Sequence, residues 1–144
     1  MEYATLLRGA GLKVTSTRLA LLSMLAEKSR HMTADEITAE LRRGGIQVDR
    51  VTIYRNIERM LIEGLLIATN LPGRALRVGT CTQPHAEHHH HIVCENCGRV
   101  AESDGCLVAE NWDSVETRVQ QSTGFKLTGH IMQFVGICSE CQNE

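Results

Sequence analysis

The sequence predicts an α+β chain of two unlike lobes, one helical and basic, the other acidic and crowded with metal-binding side chains. Three observations carry this. Charge is divided: residues 1–80 hold 12 Lys+Arg against 8 Asp+Glu, a net of +4, whereas residues 81–144 hold 3 against 9, a net of −6. Donor chemistry is divided in the same place, since all six cysteines and six of the seven histidines lie from Cys81 onward. A length of 144 residues accommodates two small domains. The expected boundaries are 1–80 for the basic domain, 81–84 for a hinge and 85–144 for the acidic one. A basic lobe suits a polyanion and an acidic lobe suits cations.

In the basic lobe, "TSTRLALLSMLAEK" (15–28) opens on a threonine cap and carries Leu19, Leu22, Met24 and Leu25 as one apolar stripe. "TADEITAELRRGG" (33–45) has Thr33 as cap, Glu36 at the capping-box position and Gly44–Gly45 as its stop. In "DRVTIYRNIERMLIEGLL" Asp49 is the cap, and Val51, Ile53, Ile57, Met60 and Leu61 form the expected apolar face. The other face carries Arg50, Thr52, Tyr54, Arg55 and Arg59. "LLIATNLPGRALRVGT" then reads as a hairpin turning at Asn70–Gly73. Helix, helix, polar helix and hairpin is the order of a winged helix-turn-helix, which places a helix in the major groove of double-stranded DNA. Arginine forks bind phosphate or guanine edges in two places, and Tyr54 offers a ring and a hydroxyl. Lys13, in "GLKVT", is within reach of a phosphate or the minor groove. A solvated charged face is the plainer account of these residues; the module order and the charge balance favour DNA.

In the acidic lobe the strongest signal is "CENC" (94–97) with "CSEC" (138–141). Two Cys-x-x-Cys knuckles present four thiolates, Cys94, Cys97, Cys138 and Cys141, which suit a closed tetrahedral structural Zn2+. Two disulfides or a thiolate-bound iron are the alternatives. The run "HHHH" (88–91) leads into β-branched Ile92 and Val93, so it reads as extended chain. On a strand successive side chains alternate, sending His88 and His90 to one face and His89 and His91 to the other. One ion cannot be held by all four, so they form two half-sites back to back. "GFKLTGHIMQFVGIC" reads as strand, His130, then strand, and His130 could complete one pair. "CLVAENWDSVETRVQQSTG" (106–124) reads as an amphipathic helix whose Glu110 or Asp113 could add an oxygen; Glu102 is a further carboxylate. His85 and Cys106 have no spacing that recruits them to a site. His31, the lone histidine of the basic lobe, and Cys81, at the junction, could join His89 and His91 in a site with ligands on both sides of the hinge. Metal there would fix the angle between the lobes and so convert occupancy into DNA affinity.

Taken together, "AGLKVTSTR", "TADEI", "VTIYRNIERM…EG", "HHHHIVCENCGRV", "GFKLTGH" and "CSEC" resemble the ferric uptake regulator family of metal-dependent repressors, over about Gly9 to Cys141. The resemblance implies a homodimer that pairs through its C-terminal α/β domains and binds an A/T-rich palindromic operator when the sensing metal is present. It implies that Tyr54 and Arg55 read DNA with Lys13 nearby, and that Cys94, Cys97, Cys138 and Cys141 hold the structural zinc. It further implies a hinge sensing site at His31, His89, His91 and Glu102, and a second site at His88, His90 and His130. The second site's acidic ligand falls at Asp113 by counting back from His130, with Glu110 the alternative.

One departure is informative. Where iron-type members usually place a glutamate just after the hairpin, this sequence has "RVGTCTQP", with Cys81 and no carboxylate. A cysteine there is similar to zinc-sensing members, the zinc uptake regulators, and thiolate with imidazole suits Zn2+ better than Fe2+ or Mn2+. Zinc sensing is therefore the favoured branch, with iron, manganese or peroxide sensing as alternatives. Other classes fit worse. A small zinc hydrolase would need an open metal position beside a placed acid, and no His-Glu-x-x-His element is present. A metal-storage or metal-delivery protein leaves the basic lobe unexplained. No apolar run reaches the roughly 20 residues of a bilayer span, and the first residues lack a secretory core. The expected location is the cytoplasm, where cysteines serve as metal ligands more often than as disulfides.

Overall fold

The computed structural model describes residues 2–28, 30–81 and 88–143. The proposed hinge segment beyond Cys81 and His85 lie outside the described residues. Those described form six α-helices and six strands, the strands divided between two separate three-stranded sheets.

The first half begins with α1 (Tyr3–Gly9), a short helix that the sequence reading did not separate from its surroundings. It has no side-chain cap, and buried Leu7 anchors it to the core, so packing rather than local propensity maintains it. Helix α2 (Ser16–Lys28) starts at Thr15, whose hydroxyl accepts the Arg18 N–H at 3.3 Å. It buries Leu21, Leu22 and Leu25; Leu19 and Met24 of the expected stripe sit half-buried at its edges. After β1 (Met32–Thr33) comes α3 (Ala34–Arg43), closed by a reciprocal capping box. The Thr33 hydroxyl accepts the Glu36 N–H at 3.2 Å, and the Glu36 carboxylate accepts the Thr33 N–H at 2.8 Å. In α4 (Arg50–Ile62) the Asp49 carboxylate caps the Thr52 N–H at 2.7 Å.

Strands β2 (Ile67–Thr69) and β3 (Arg77–Gly79) form the hairpin, and β1 adds to it antiparallel in the order β1-β3-β2. One apolar cluster joins all these pieces, with Leu21, Leu25, Met32, Ile37, Ile53 and Val78 among its most buried members. Val51 is not among them. Two residues span about 200° around a helix, so with Ile53 facing inward Val51 must face out, and it is 59% exposed. That corrects the apolar face expected for this helix.

The second sheet is built on β4 (His91–Cys94), flanked by antiparallel β5 (Val100–Glu102) and parallel β6 (Gln133–Gly136). Its register sets His91 opposite Glu102 and Cys94 opposite Gly136. A 3-10 turn (Ala109–Asn111) leads into α5 (Trp112–Thr123), which stops at Gly124 in the left-handed region, φ 78°. The helix is thus shorter at its start than residues 106–124 suggested. The strand expected before His130 is not formed: residues 125–129 have no partner strand among those described, and Phe125 is exposed. The short helix α6 (Ser139–Gln142) carries the last cysteine. Among the described residues no helix is long and apolar enough to cross a membrane.

Two β-branched residues of α4, Ile53 and Val51, make a direct test. Ile53→Ala should cost about 2–5 kcal/mol of stability by urea unfolding, because it empties a filled core position. Val51→Ala should change stability by less than about 0.5 kcal/mol.

Candidate metal centres and nucleic-acid face

Among the described residues, three groups of donor atoms converge in the second half, each with its ligand atoms within 4.8 Å of one another. The first is Cys94, Cys97, Cys138 and Cys141. Cys94 ends β4, Cys97 closes the turn after it, Cys138 follows β6 and Cys141 lies on α6. The parallel β4–β6 pairing therefore brings the two knuckles together across the 40 residues between them. All four are free thiols, with Cys97 and Cys138 sulfurs 3.7 Å apart. The Cys138 N–H donates to Cys94 Sγ at 3.4 Å. That bond, with further backbone N–H donors from Cys97 and Asn96, pulls the Cys94 thiol down to about 6. The hydrogen bond that the Cys141 thiol donates to Cys138, followed by burial, pushes Cys141 up to about 12. One thiolate forms readily and the last resists; a bound cation removes that conflict by balancing all four charges.

The second group is Cys81, His89, His91 and Glu102. Cross-strand pairing explains half of it, since His91 and Glu102 face each other across the β4–β5 ladder. Alternation explains His89, whose ring lies 4.9 Å from that of His91. Cys81 arrives from the end of the β3 segment and puts its sulfur 3.1 Å from His89 Nε2. Nε2 of His91 is buried with no hydrogen-bond partner among the described residues. Burial first, then the neighbouring His89, lowers the His91 pKa. A buried ring nitrogen with no partner can turn its lone pair to a metal ion once the ring proton sits on the other nitrogen.

His31 stands just outside this group. It is 3% exposed, its ring centroid 6.4 Å from that of His91, and its Nδ1 lies 3.1 Å from the Thr69 hydroxyl. A Cβ on Gly79 of β3 would overlap the His31 ring, so glycine there makes the space that the imidazole fills. Burial, followed by the charge of His91, lowers its pKa to about 4. His31 is therefore a neutral imidazole wedged between the two sheets.

The third group is His88, His90, Cys106 and His130. Nε2 of His88 and of His130 meet at 2.8 Å, and Cys106 Sγ lies 3.6 Å from the same His130 nitrogen. His90 is 1% exposed, and its Nε2 has no hydrogen-bond partner among the described residues. Two imidazole nitrogens so close need a proton or a cation between them. The backbone of His90 is pinned by the Ser103 hydroxyl, which accepts its N–H at 2.8 Å and donates to Gly105 O at 2.7 Å. That turn delivers Cys106. Asp113 and Glu110, the expected acidic donors, are exposed and outside the group. The residue of α5 seen against this group is Trp112, whose indole packs 4.8 Å from the His130 ring. Sequence reasoning passed over Cys106 because no fixed spacing ties it to the histidines; only the β5 turn does. Imidazole and thiolate donors with unpartnered buried nitrogens fit divalent metal at both histidine groups.

On the first half, α4 presents Arg50, Tyr54, Arg55 and Arg59 outward. The Arg50 guanidinium lies 5.5 Å from the Tyr54 ring centre, donates to the Tyr54 oxygen at 3.3 Å and pairs with Asp35 at 3.1 Å. Arg59 pairs with Glu63 at 3.3 Å. Thr52 differs from the others, because its hydroxyl is bound to the Asp49 cap at 3.0 Å and serves the helix start. Arg18, given no role by the sequence reading, donates to the Lys13 carbonyl and to Asn56 Oδ1, each at 2.8 Å. It thereby holds the exposed Lys13 segment against α4.

The model of the ferric uptake regulator family matches residues 9–135. The ferric uptake regulation protein of Legionella pneumophila is 33% identical over 143 residues, covering 99% of this chain and all of that protein. The peroxide-responsive repressor PerR of Staphylococcus aureus is 31% identical over 99% of this chain and 91% of its own length. A zinc uptake regulator solved with zinc and DNA superposes with a TM-score of 0.70, covering 98% of this chain and 91% of that one. Its identity is 20%, so the likeness is one of fold.

The neutral state of His31 has a pH consequence. Its folded pKa lies below the ordinary 6.5, so the unfolded chain takes up a proton first as pH falls. Stability is then full above pH 6.5 and is lost progressively towards pH 4, by about 3 kcal/mol for this residue. Chelator-treated wild type and His31→Gln, compared by urea unfolding between pH 7 and pH 4, should diverge: the variant should lose less on acidification. Parallel curves would contradict the assignment.

Proposed function

The chain belongs to the ferric uptake regulator family, and we propose that it is a zinc-sensing repressor of metal-uptake genes that binds DNA as a homodimer. The family comprises transcriptional regulators, and this one is not an enzyme. Residues 1–80 act as a winged helix-turn-helix domain, 81–84 as the hinge and 85–144 as the dimerisation and metal domain. Helix α4 enters the major groove of an A/T-rich palindrome with Tyr54 and Arg55 at its centre. Arg50, Arg59 and Lys13 supply phosphate contacts, and Thr52 fixes the helix start. The dimer forms along β6, one of the two edge strands of the second sheet. That edge carries Phe134 and Val135, with Ile131 fully exposed beside it, an apolar surface that a lone protomer leaves to water.

Cys94, Cys97, Cys138 and Cys141 hold a structural Zn2+. Cys81, His89, His91 and Glu102 hold the sensing ion, with His31 as the contribution of the DNA-binding domain to the same joint. His88, His90 and His130 hold a second ion, with Cys106 rather than Asp113 as fourth donor. The observation that carries the zinc reading is Cys81 Sγ, 3.1 Å from His89 in the hinge group. Thiolate with imidazole ranks Zn2+ above Fe2+ and Mn2+, and Cys106 repeats that donor set at the second group. An iron- or manganese-sensing regulator is the second reading, supported by the Glu102 oxygen that faces His91; a peroxide-sensing one would further require iron there.

A gel-shift series with Zn2+, Fe2+ and Mn2+ tests this. Zinc should raise operator affinity by about 10-fold or more, in the range of ordinary allosteric coupling; no metal effect would defeat the regulator reading. Cys81→Ser should blunt the zinc response while leaving dimer and four-cysteine zinc in place, and an undiminished response would remove the case for zinc over iron. Tyr54→Ala should weaken operator binding with unchanged metal content. Cys97→Ser should unfold the C-terminal half, because thiolate-bound zinc contributes on the order of 10 kcal/mol to folding. A folded, dimeric Cys97→Ser protein would contradict that role.

A further inference from the structure

The four-cysteine knuckle does more than close on itself: it rests on the hairpin of the first half. The Arg74 guanidinium, in the β2–β3 turn region, donates to the Glu95 carbonyl inside the knuckle. Arg30 and Arg99 pair as an isolated antiparallel bridge. Between them the two halves approach closely at a glycine. Gly98 is buried at φ 75°, and a Cβ there would lie 2.9 Å from Arg77 Nη1 and 3.4 Å from the His31 carbonyl. Glycine is needed for the backbone conformation and for the space.

Arg77 connects this contact to the rest of the first half. Its Nη1 donates to the His31 carbonyl at 3.2 Å and pairs with the Glu36 carboxylate at 3.1 Å. The same Glu36 oxygen accepts the Thr33 N–H that closes the α3 capping box. One guanidinium thus touches the knuckle, the residue beside the hinge group and the start of α3. It is mostly buried, so its planar fork is held in place rather than waving in solvent.

We infer that Arg77 is a positioning residue: seated on Gly98, it makes the four-cysteine knuckle the abutment against which the DNA-binding lobe is set. The pose so fixed is the one in which Cys81, His89, His91 and Glu102 converge beside His31. Losing the latch lowers the population of that pose, and the apparent affinity of a site that needs it falls in proportion. The zinc of the knuckle thereby gains a second role. It fixes the surface that makes the hinge site ready, although it lies outside that site. This inference rests on the proposed hinge site.

The experiment measures zinc affinity at the hinge by competition with a chelator, and amide hydrogen exchange at Arg30 and Arg99. Arg77→Met should weaken hinge zinc by about 5- to 10-fold and speed exchange at both amides, while the four-cysteine zinc stays bound. Arg77→Lys, which keeps the charge but loses the fork, should recover part of the loss. Gly98→Ala tests the same contact from the other lobe, leaving the α3 cap untouched, and should give the same two changes. Glu95→Ala keeps the carbonyl that Arg74 uses and should be silent. If Arg77 served only to support the α3 cap, Arg77→Met would reduce DNA binding yet leave hinge zinc and the Arg99 amide unchanged, which overturns the inference. Normal hinge affinity in Gly98→Ala overturns it too. The wild-type arm separates the two readings: if zinc leaves operator affinity unchanged in wild type, the proposed function fails first; if wild type responds and both variants match it, only the latch fails.

Discussion

Everything in the metal half hangs on the alternation of side chains along one extended segment, His88 to Cys94. Because successive residues face opposite ways, a run of four identical side chains becomes two different pairs. His88 and His90 turn towards His130 and Cys106; His89 and His91 turn towards Cys81 and Glu102. The same segment then ends at Cys94, the first sulfur of the knuckle. A one-residue slip in the β4 register would exchange the two faces and pull Cys94 away from Cys138. The ladder to β5, the ladder to β6 and the Ser103 clasp on His90 all resist that slip. Three donor groups are therefore coupled by backbone geometry before any ion is considered.

The joint between the halves follows a different logic, that of buried polar groups. His31 and Arg77 would be costly in an interior without partners. Each is satisfied within the first half, the His31 ring by Thr69 of β2, its carbonyl by Arg77 of β3, and Arg77 by Glu36 of α3. The bonds that cross to the second half run from Arg74 to the Glu95 carbonyl and from Gln133 to the Asn70 carbonyl. A joint assembled from such bonds is specific in pose, because sliding one side breaks several at once. It is also modest in strength, since each bond exchanges for one to water. Modest and specific is what a two-pose device requires, because a ligand of ordinary affinity must be able to tip it.

What was legible in the sequence was whatever obeys a fixed local period. The Thr33–Glu36 box, the Asp49 cap and the alternation of the histidines are rules over two to four residues, and each is found in the structure. The cysteine knuckles were legible because Cys-x-x-Cys fixes its own geometry. What escaped depends on tertiary approach. Cys106 reaches His130 only through the turn after β5, and Trp112, not Asp113, packs on the His130 ring, a contact that no spacing encodes. His31 looked like an ordinary residue before a helix cap; its burial comes from a glycine 48 positions away. Residues 125–129 have strand-like composition but no neighbour in the chain, and composition alone does not make a ladder. Val51 failed for a simpler reason, being an apolar residue on the outward side of a helix whose phase Ile53 sets.

Metal choice is separable from fold for the same reason. The scaffold that brings donors together is spread over the whole chain, and a ferric uptake regulation protein and a peroxide-responsive repressor share it with this chain at 31–33% identity. On the proposed reading, selectivity would reside in one or two donor atoms placed within that scaffold. A carboxylate in place of Cys81 would leave the β4–β5 ladder, the His89–His91 spacing and the buried His91 nitrogen as they are. It would change only the softness of one donor, and with it the order in which divalent ions bind. Overall likeness therefore carries the architecture and the regulatory class, whereas the sulfur beside His89 carries the argument for zinc.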